Sequence, residues 1–560
     1  MNRKTLLSSL AIGLSATLTW AAFAPLAESA NVAIALAPML IIARMASPKR
    51  AAAAFLAFGF AHWFASLAWM PAIIKNNGPW PLVIAGWAGL ALLCALYEAA
   101  FGYMAANIWR LARGKGLVAF LAASLGEAVL WAGLEHCRAF WFTGFSWNEL
   151  GLALVDAPAL AAPARYIGIR GLSALVILLN GVFATVFMRT FRASRTGTAS
   201  RPARIAETAI PLFAILLAMV AFRHATLAPG EMAPVKVALV QHNAPCIFSE
   251  GAARRNPLAE IKSLVSADEV DGCDLVILAE SAFTGLGPLD GRYAVAAAGE
   301  ILKAAGAYAL LAGGDMTDEG PDGKRRFYNS AALYIADVGG ARFAGAYSKQ
   351  HLVPFGEYIP FDKKLKFLQK LSPIGVSLHP GESMVLDLGS IGSAATGIGI
   401  APLICFEDTD SSLYAKAAYA GYREPYVMAN AIVLITNDSW FSNSGEAVAH
   451  AAQARGRAVE AGLPVIRVGN SGATGIIDPD GSARWLMDGD RPRIDKPGVM
   501  VDYVLMPKFH QKTFYSTFGD IPLGILFAMA AIAALARPLG MWIVVRRDRR
   551  DKSDKSDKSK

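Results

Sequence analysis

The sequence predicts a polytopic α-helical membrane bundle of about eight spans plus an α/β domain. Three observations predict it. The chain is 54% hydrophobic and 17% charged, whereas soluble domains carry about 25% charged residues. Long apolar stretches fill residues 1–224 and recur near 521–545. Between them, over 225–520, short β-rich runs alternate with helical ones.

Spans are expected near 5–23, 31–44, 52–74, 82–109, 117–141, 167–188, 205–222 and 521–545. A bilayer core asks for about 20 apolar residues per helix, so the second stretch is short and reads as tilted or re-entrant. The first also resembles a signal peptide, but its apolar run exceeds the usual signal core of about 7–15 residues and is read as a retained helix. Cations cluster in alternate loops: Arg3 and Lys4; Arg44, Lys49 and Arg50; Arg110, Arg113 and Lys115; Arg189, Arg192, Arg195, Arg201 and Arg204; then Arg546, Arg547, Arg549 and Arg550 after the last span. The positive-inside rule puts these loops and both termini in the cytoplasm, with 225–520 outside, the periplasm of a Gram-negative bacterium. The net charge of +9 therefore reflects topology, not a nucleic-acid face. The tail 546–560, ending "DKSDKSDKSK", is expected to be disordered.

In 225–520 the runs "VKVALVQ" (235–241), "DLVILAE" (274–280), "YALLAGGD" (308–315), "SAALYIAD" (330–337), "APLICFED" (401–408), "AIVLITND" (431–438) and "PVIRVGN" (464–470) read as strands. Residues 256–267 and 446–462 read as helices. Near-continuous apolar strands imply sheets covered on both faces. Several end in an acid, an amide or Cys405, and ligands of open α/β sheets gather at the carboxyl ends of strands.

The sequence has no HExxH, P-loop or GxSxG pattern, and neither metal nor cofactor is expected. The five cysteines form no CxxC, and their odd number leaves at least one thiol free. Cys94 and Cys137 lie in apolar helices as packing residues. Three strand ends supply a different chemistry: Glu280 in "LVILAESAFTG", Lys349 in "YSKQHLVPFGEYIP" and Cys405 in "LICFED". A carboxylate can take a thiol proton, and a lysine can hold the oxyanion formed when a thiolate attacks a carbonyl. Taken singly, each has an ordinary alternative: a core cysteine, a helix-capping glutamate, a solvated lysine.

Taken together, "AES", "YSKQHLVPFGEYIP" and "ICFED" resemble the Glu-Lys-Cys triad of the nitrilase (carbon–nitrogen hydrolase) superfamily. "TNDSWFS" (436–442) and "HAAQARGRAVEAGLPVIRVGNSGATGIIDPDG" (450–481) extend the match. With the spans and "EHCRAFWFTGFSWNELG" (135–151), nearly the whole chain resembles the apolipoprotein N-acyltransferases. Two motifs depart from the family pattern. Leu278-Ala279 stands where Trp-Pro is usual, and Ser442 follows Trp440-Phe441 where glycine is usual.

The resemblance implies a four-layer αββα sandwich on the bundle, with Glu280 as general base, Cys405 as nucleophile, Lys349 as oxyanion stabiliser and Glu357 as a supporting carboxylate. Trp440, Phe441 and Glu407 are the candidate substrate-binding residues. It further implies an inner-membrane enzyme that takes an acyl chain from a phospholipid, phosphatidylethanolamine above all. The acceptor is the α-amino group of the diacylglyceryl-cysteine of apolipoproteins, reached through a cysteine thioester. A membrane-tethered amidase, and a transporter or receptor with an inactive domain, are the alternatives. Three further features carry expectations. Residues 361–375 ("FDKKLKFLQKLSPIG") are candidates to lie on the membrane. Glu135 and Arg138, three apart in a span, are placed to pair. "WFTGFSW" (141–147) is a candidate interface anchor or lipid entry.

Overall fold

The computed structural model describes residues 3–76, 78–141, 144–196, 202–224, 230–246, 257–360, 377–389, 397–419, 428–441, 444–509 and 512–536. Helices come first: α1 (Arg3–Ala21), α2 (Ala37–Met45), α3 (Pro48–Ser66), α4 (Trp80–Ala112), α5 (Gly116–Phe140), the single turn α6 (Pro158–Ala161), α7 (Ala164–Thr196) and α8 (Pro202–His224). Among the described residues, four segments are long and apolar enough to cross a membrane: Pro48–Asn76, Trp80–Ala112, Gly116–Phe140 and Ala164–Phe191. The other four expected spans correspond to the shorter apolar helices Thr5–Ala21, Ser29–Met45, Ala206–Ala218 and Ile521–Ala536. The second is short for a local reason. A 3-10 turn at Ser29–Ala33 precedes α2, and Pro38 fixes the start of that helix.

Three charged groups inside the bundle, Arg44, Glu135 and Arg138, find hydrogen-bond partners there. Arg44, counted in sequence as a loop cation, is buried: its Nη2 bonds Glu127 Oε2 at 2.5 Å and its Nη1 donates to Gly181 O. Glu135 and Arg138 do not turn to each other. Arg138 donates to the carbonyls of Phe145 and Trp147, while Glu135 accepts from Trp131 Nε1 and the Leu150 amide. Carbonyls in the chain just past α5 lie closer to the guanidinium than the helical neighbour does.

The second half is built on two six-stranded sheets. The first has the order β14-β1-β2-β3-β4-β5, with β1 at Met232–Gln241, β2 at Leu275–Leu278, β3 at Ala309–Glu319, β4 at Arg325–Asp337, β5 at Gly340–Ser348 and β14 at Gly498–Pro507. The second runs β11-β10-β9-β8-β7-β6, with β6 at Leu386–Asp387, β7 at Gly399–Ile404, β8 at Ala429–Thr436, β9 at Val465–Gly469, β10 at Gly475–Ile477 and β11 at Ala483–Trp485. A small ribbon pairs β12 (Met487–Asp488) with β13 (Arg491–Pro492).

β1, β2 and β3 are parallel, as are β7, β8 and β9. β2, β7, β8 and β9 are wholly buried, as expected of strands covered on both faces. One core joins the inner faces of the sheets, with Val237, Ile277 and Leu311 packed in the same cluster as Leu403, Leu434 and Val468. Helices α9 (Pro257–Val265) and α10 (Arg292–Ala305) cover the outer face of the first sheet. Helices α11 (Ser411–Tyr419) and α12 (Glu446–Ala461) cover the second. The layers are therefore helix, sheet, sheet, helix.

A buried ion network fastens this sandwich to the bundle. Arg170 of α7, 1% exposed, bonds Glu149 at 2.6 Å and also pairs with Asp520. Arg457 of α12 reaches Glu149 at 3.1 Å and Glu460 at 2.6 Å. Glu460 in turn accepts the Ile169 amide at 2.7 Å. That amide is free because Gly168 breaks α7 at φ 68°, and the Tyr515 ring occupies the place a Cβ there would take, 2.3 Å away.

Arg170→Ala leaves Glu149 and Asp520 short of their shared cation. Breaking a buried pair by removing one partner costs about 3–5 kcal/mol. Thermal unfolding in detergent should show a clear drop in melting temperature. An unchanged melting curve would mean the network does not hold the two halves together.

Candidate active site

Parallel strands bring their carboxyl ends to one edge, and that edge collects the residues singled out in sequence. Glu280 lies two residues beyond β2, Lys349 follows β5, and Cys405 follows β7. The backbone is strained there. Ser281, Phe355 and Cys405 have φ of 65°, 62° and 54°, and non-glycine residues in the left-handed region concentrate at functional sites.

Asn329 of β4 is the hub. Its Nδ2 donates to Glu280 Oε1 at 2.7 Å and to Glu357 Oε1 at 2.9 Å. Lys349, 1% exposed, donates from Nζ to Glu357 Oε1 at 2.8 Å. Glu357 Oε2 accepts the Val353 amide at 2.8 Å, which closes the "LVPFGE" loop on itself. Burial pushes the Glu280 carboxyl up, against the pull of Lys349. Burial also works against the Lys349 charge, but Glu357, Cys405 and Glu280 outweigh it and hold the ammonium well above its usual range. Burial raises the Cys405 thiol strongly, Glu280 raises it further, and Lys349 opposes both. The three groups are therefore close enough to feel one another's charge. At neutral pH the unliganded site holds a protonated thiol beside a firmly charged lysine.

The remaining sequence candidates divide. Trp440 and Phe441 sit half-buried on the turn Asp438–Phe441. Bundle residue Asn76 donates to the Ser439 and Trp440 carbonyls, and Trp69 meets Phe441 edge-on at 4.7 Å. Glu407, expected to meet substrate, is fully buried. It accepts from Tyr347 Oη and from the amides of Gln350, His351 and Ile404. Its oxygens are spent on the chain, so it clamps the turn after Cys405. The neighbouring Phe406 stacks 6.4 Å from Phe145 in an aromatic cluster with Trp63 and Trp147. Of "WFTGFSW", Trp147 is buried in that junction, Trp141 is exposed, and 142–143 lie outside the described residues. The stretch 361–375 also lies outside them.

Sequence reasoning missed Asn329, although an asparagine inside a strand was a signal, since that residue is depleted there. It also missed a buried group of Asp438, Glu446 and His450, whose ligand atoms lie within 4.8 Å of one another. A metal could span that distance, but Arg467 Nη2 stands 3.3 Å from Asp438 and 3.0 Å from His450. The guanidinium fills the cation's place. None of the five cysteines is joined in a disulfide.

The chain shares the class of its sandwich with known enzymes. Residues 236–484 match the carbon-nitrogen hydrolase family, and residues 15–182 match the apolipoprotein N-acyltransferase N-terminal domain. An apolipoprotein N-acyltransferase of Geobacter metallireducens is 30% identical over 513 residues, covering 90% of this chain and 89% of that protein. Those of Brucella melitensis and Brucella suis are each 31% identical over 505 residues, covering 88% of this chain and 85% of each relative. The chain belongs to the apolipoprotein N-acyltransferase family.

Glu280→Gln tests the electrostatics of the site. It removes a negative charge that raises the thiol, so Cys405 should ionise at lower pH. The pH profile of iodoacetamide labelling at Cys405 should shift to the acid side. A profile that stays in place or moves alkaline would show that Glu280 does not act on the thiol.

Proposed function

We propose that this protein transfers a fatty acyl chain from a membrane phospholipid to the N-terminal α-amino group of diacylglyceryl-cysteine on apolipoproteins. Phosphatidylethanolamine is the proposed donor and Cys405 the acyl carrier. The observation that carries this reading is the placement of the Cys405 turn. It stands beside the Glu280–Asn329–Glu357–Lys349 network on one side and packs Phe406 against bundle aromatics on the other. A hydrolase of small amides gains nothing from such a junction, whereas an enzyme for bilayer lipids gains proximity to both substrates.

In this reading Glu280 takes the Cys405 proton as sulfur attacks the acyl ester. The Sγ–carbonyl bond forms, Lys349 holds the oxyanion, and the C–O bond breaks. Glu280 returns the proton to the departing lysophospholipid. The raised Glu280 carboxyl and raised thiol suit this exchange, because neither holds its charge firmly until the other gives it up. Glu357 keeps Lys349 charged and in place. The amine of the second substrate then attacks the thioester and loses a proton through Glu280, and the thiol is restored. The two halves follow one another in ping-pong order.

With phospholipid alone, the protein should gain the mass of one acyl group at Cys405, removable by neutral hydroxylamine. Cys405→Ala should acquire none. Acyl label on another cysteine, or transfer by Cys405→Ala, would sink the mechanism. Rapid release of free fatty acid with no transfer to a diacylglyceryl peptide would favour the amidase alternative.

The proposed topology has eight spans, with a bundle over 1–224, a catalytic domain over 225–520 in the periplasm, a last span over 521–545 and a cytoplasmic tail over 546–560. It places the protein in the bacterial inner membrane. A reporter that works only in the cytoplasm should be active when fused after Lys560 and silent at Gly320, a turn between β3 and β4. Activity at Gly320 would overturn the orientation.

A further inference from the structure

The turn that carries Cys405 rests on two adjacent acids held in opposite ways. Glu407 accepts from the four donors given above. Asp408, fully buried, accepts no hydrogen bond from a backbone amide or a hydroxyl among the described residues. Its nearest cation is His450 of α12, whose Nε2 stands 3.0 Å from Asp408 Oδ1, and Arg467 lies within electrostatic reach. The other ring nitrogen, Nδ1, lies 2.9 Å from Asp438 Oδ1. Asp438 opens the turn that carries Trp440 and Phe441, and it also accepts the Thr436 hydroxyl. One imidazole thus spans two loops at the active-site edge. Around it stand Glu446 on its own helix at 3.6 Å, Arg467 from β9 at 3.0 Å, and Trp147 from the bundle, stacked at 5.9 Å.

The charges decide the state of this ring. A carboxylate at each nitrogen calls for a proton on each, and burial alone would forbid that charge. The two aspartates outweigh burial and hold His450 well above its usual range. Burial and the nearby Asp438 drive Glu446 upward, toward its neutral form. Arg467 and the imidazolium then balance Asp408 and Asp438. The chain leaves room for this arrangement. Gly472 has φ 100°, and a Cβ there would come within 2.0 Å of Asp438 Oδ2.

We infer that His450 is a positioning residue for acyl transfer: clamped between Asp408 and Asp438, it sets the Cys405 turn and the Trp440–Phe441 turn in register with each other. It rests on the reading of Cys405 as acyl carrier. The ring touches no reacting atom. Its effect passes through Asp408, three residues from the nucleophile, and through Asp438, whose charge is felt at both Cys405 and Glu280. Without the imidazolium, Asp408 is a buried carboxylate with only the more distant Arg467 to balance it, and the turn must shift to relieve it.

The test uses His450→Gln and the double variant His450→Gln with Asp408→Asn in the full-length protein in detergent. For the single variant, kcat should fall roughly 100-fold, as expected for a misplaced nucleophile, while KM for phospholipid stays near that of the wild type. Iodoacetamide labelling of Cys405, read by peptide mass, should slow roughly tenfold at pH 8, because negative charge near the thiol is less balanced. The double variant lacks the orphaned carboxylate and should recover roughly tenfold in both measurements. Wild-type turnover and labelling in His450→Gln would overturn the inference, as would a double variant no better than the single. Should His450→Gln fail to fold, the double variant decides. A folded chain with measurable turnover supports the inference, and one that is unfolded or inactive ends it. If the wild type forms no acyl-enzyme, the proposed function fails, but the labelling comparison still reports whether His450 governs the thiol.

Discussion

The structure depends on keeping a soluble-type sandwich seated against a membrane bundle, and the seat is ionic. Arg170, Glu149, Arg457, Glu460 and Asp520 are all buried or nearly so, and they come from both halves of the chain. Bare charges in such a place would cost many kcal/mol, so each exists only because the others do. The network adds little net stability over a greasy contact of equal size. What it adds is direction, because charge pairs tolerate only one docking geometry while apolar surfaces tolerate several. Hydrogen bonds from Asn76 to the Ser439 and Trp440 carbonyls fix the active-site rim to the same bundle. Domain docking and site geometry are therefore one constraint.

The same economy of charge governs the catalytic edge. Glu280 and Glu357 face one lysine and one asparagine, with a thiol within electrostatic reach. Lys349 is committed to Glu357, so Glu280 is left with the weaker partner, and burial raises its carboxyl. That asymmetry separates the roles of two chemically identical side chains. One is bonded to the ammonium, and the other meets the thiol through its charge.

The parallel strands were legible because burial on both faces writes them as continuous apolar runs, and their ends announced Glu280 and Cys405. Strands β5, β6 and β10–β14 were not foreseen. Several have two or three residues and lie at edges, where no periodicity develops. The bundle was legible in outline; among the described residues four segments reach crossing length, and a proline and a 3-10 turn shorten the second of the expected spans. Spacing rules failed at Arg138 because helical neighbours compete with the carbonyls of Phe145 and Trp147, which no periodicity reveals. Arg44 read as a loop cation because the partner that buries it, Glu127, is 83 residues away.

The pair Glu407-Asp408 shows where sequence reading ends. Two acids beside Cys405 invite a substrate-binding role, and side-chain chemistry alone cannot separate them. Their surroundings do. The turn must hold Cys405 at φ 54°, a conformation costing about 1–3 kcal/mol that persists only when neighbours over-determine it. Glu407 supplies hydrogen bonds to the backbone on both sides of the strain, at Ile404 and at Gln350 and His351. Asp408 supplies a charge that ties the far side of the turn to His450. A carboxylate with directional donors fixes orientation, and one with only a counter-ion fixes distance. The turn needs both, which accounts for two consecutive buried acids where one, exposed, would have sufficed to meet a ligand.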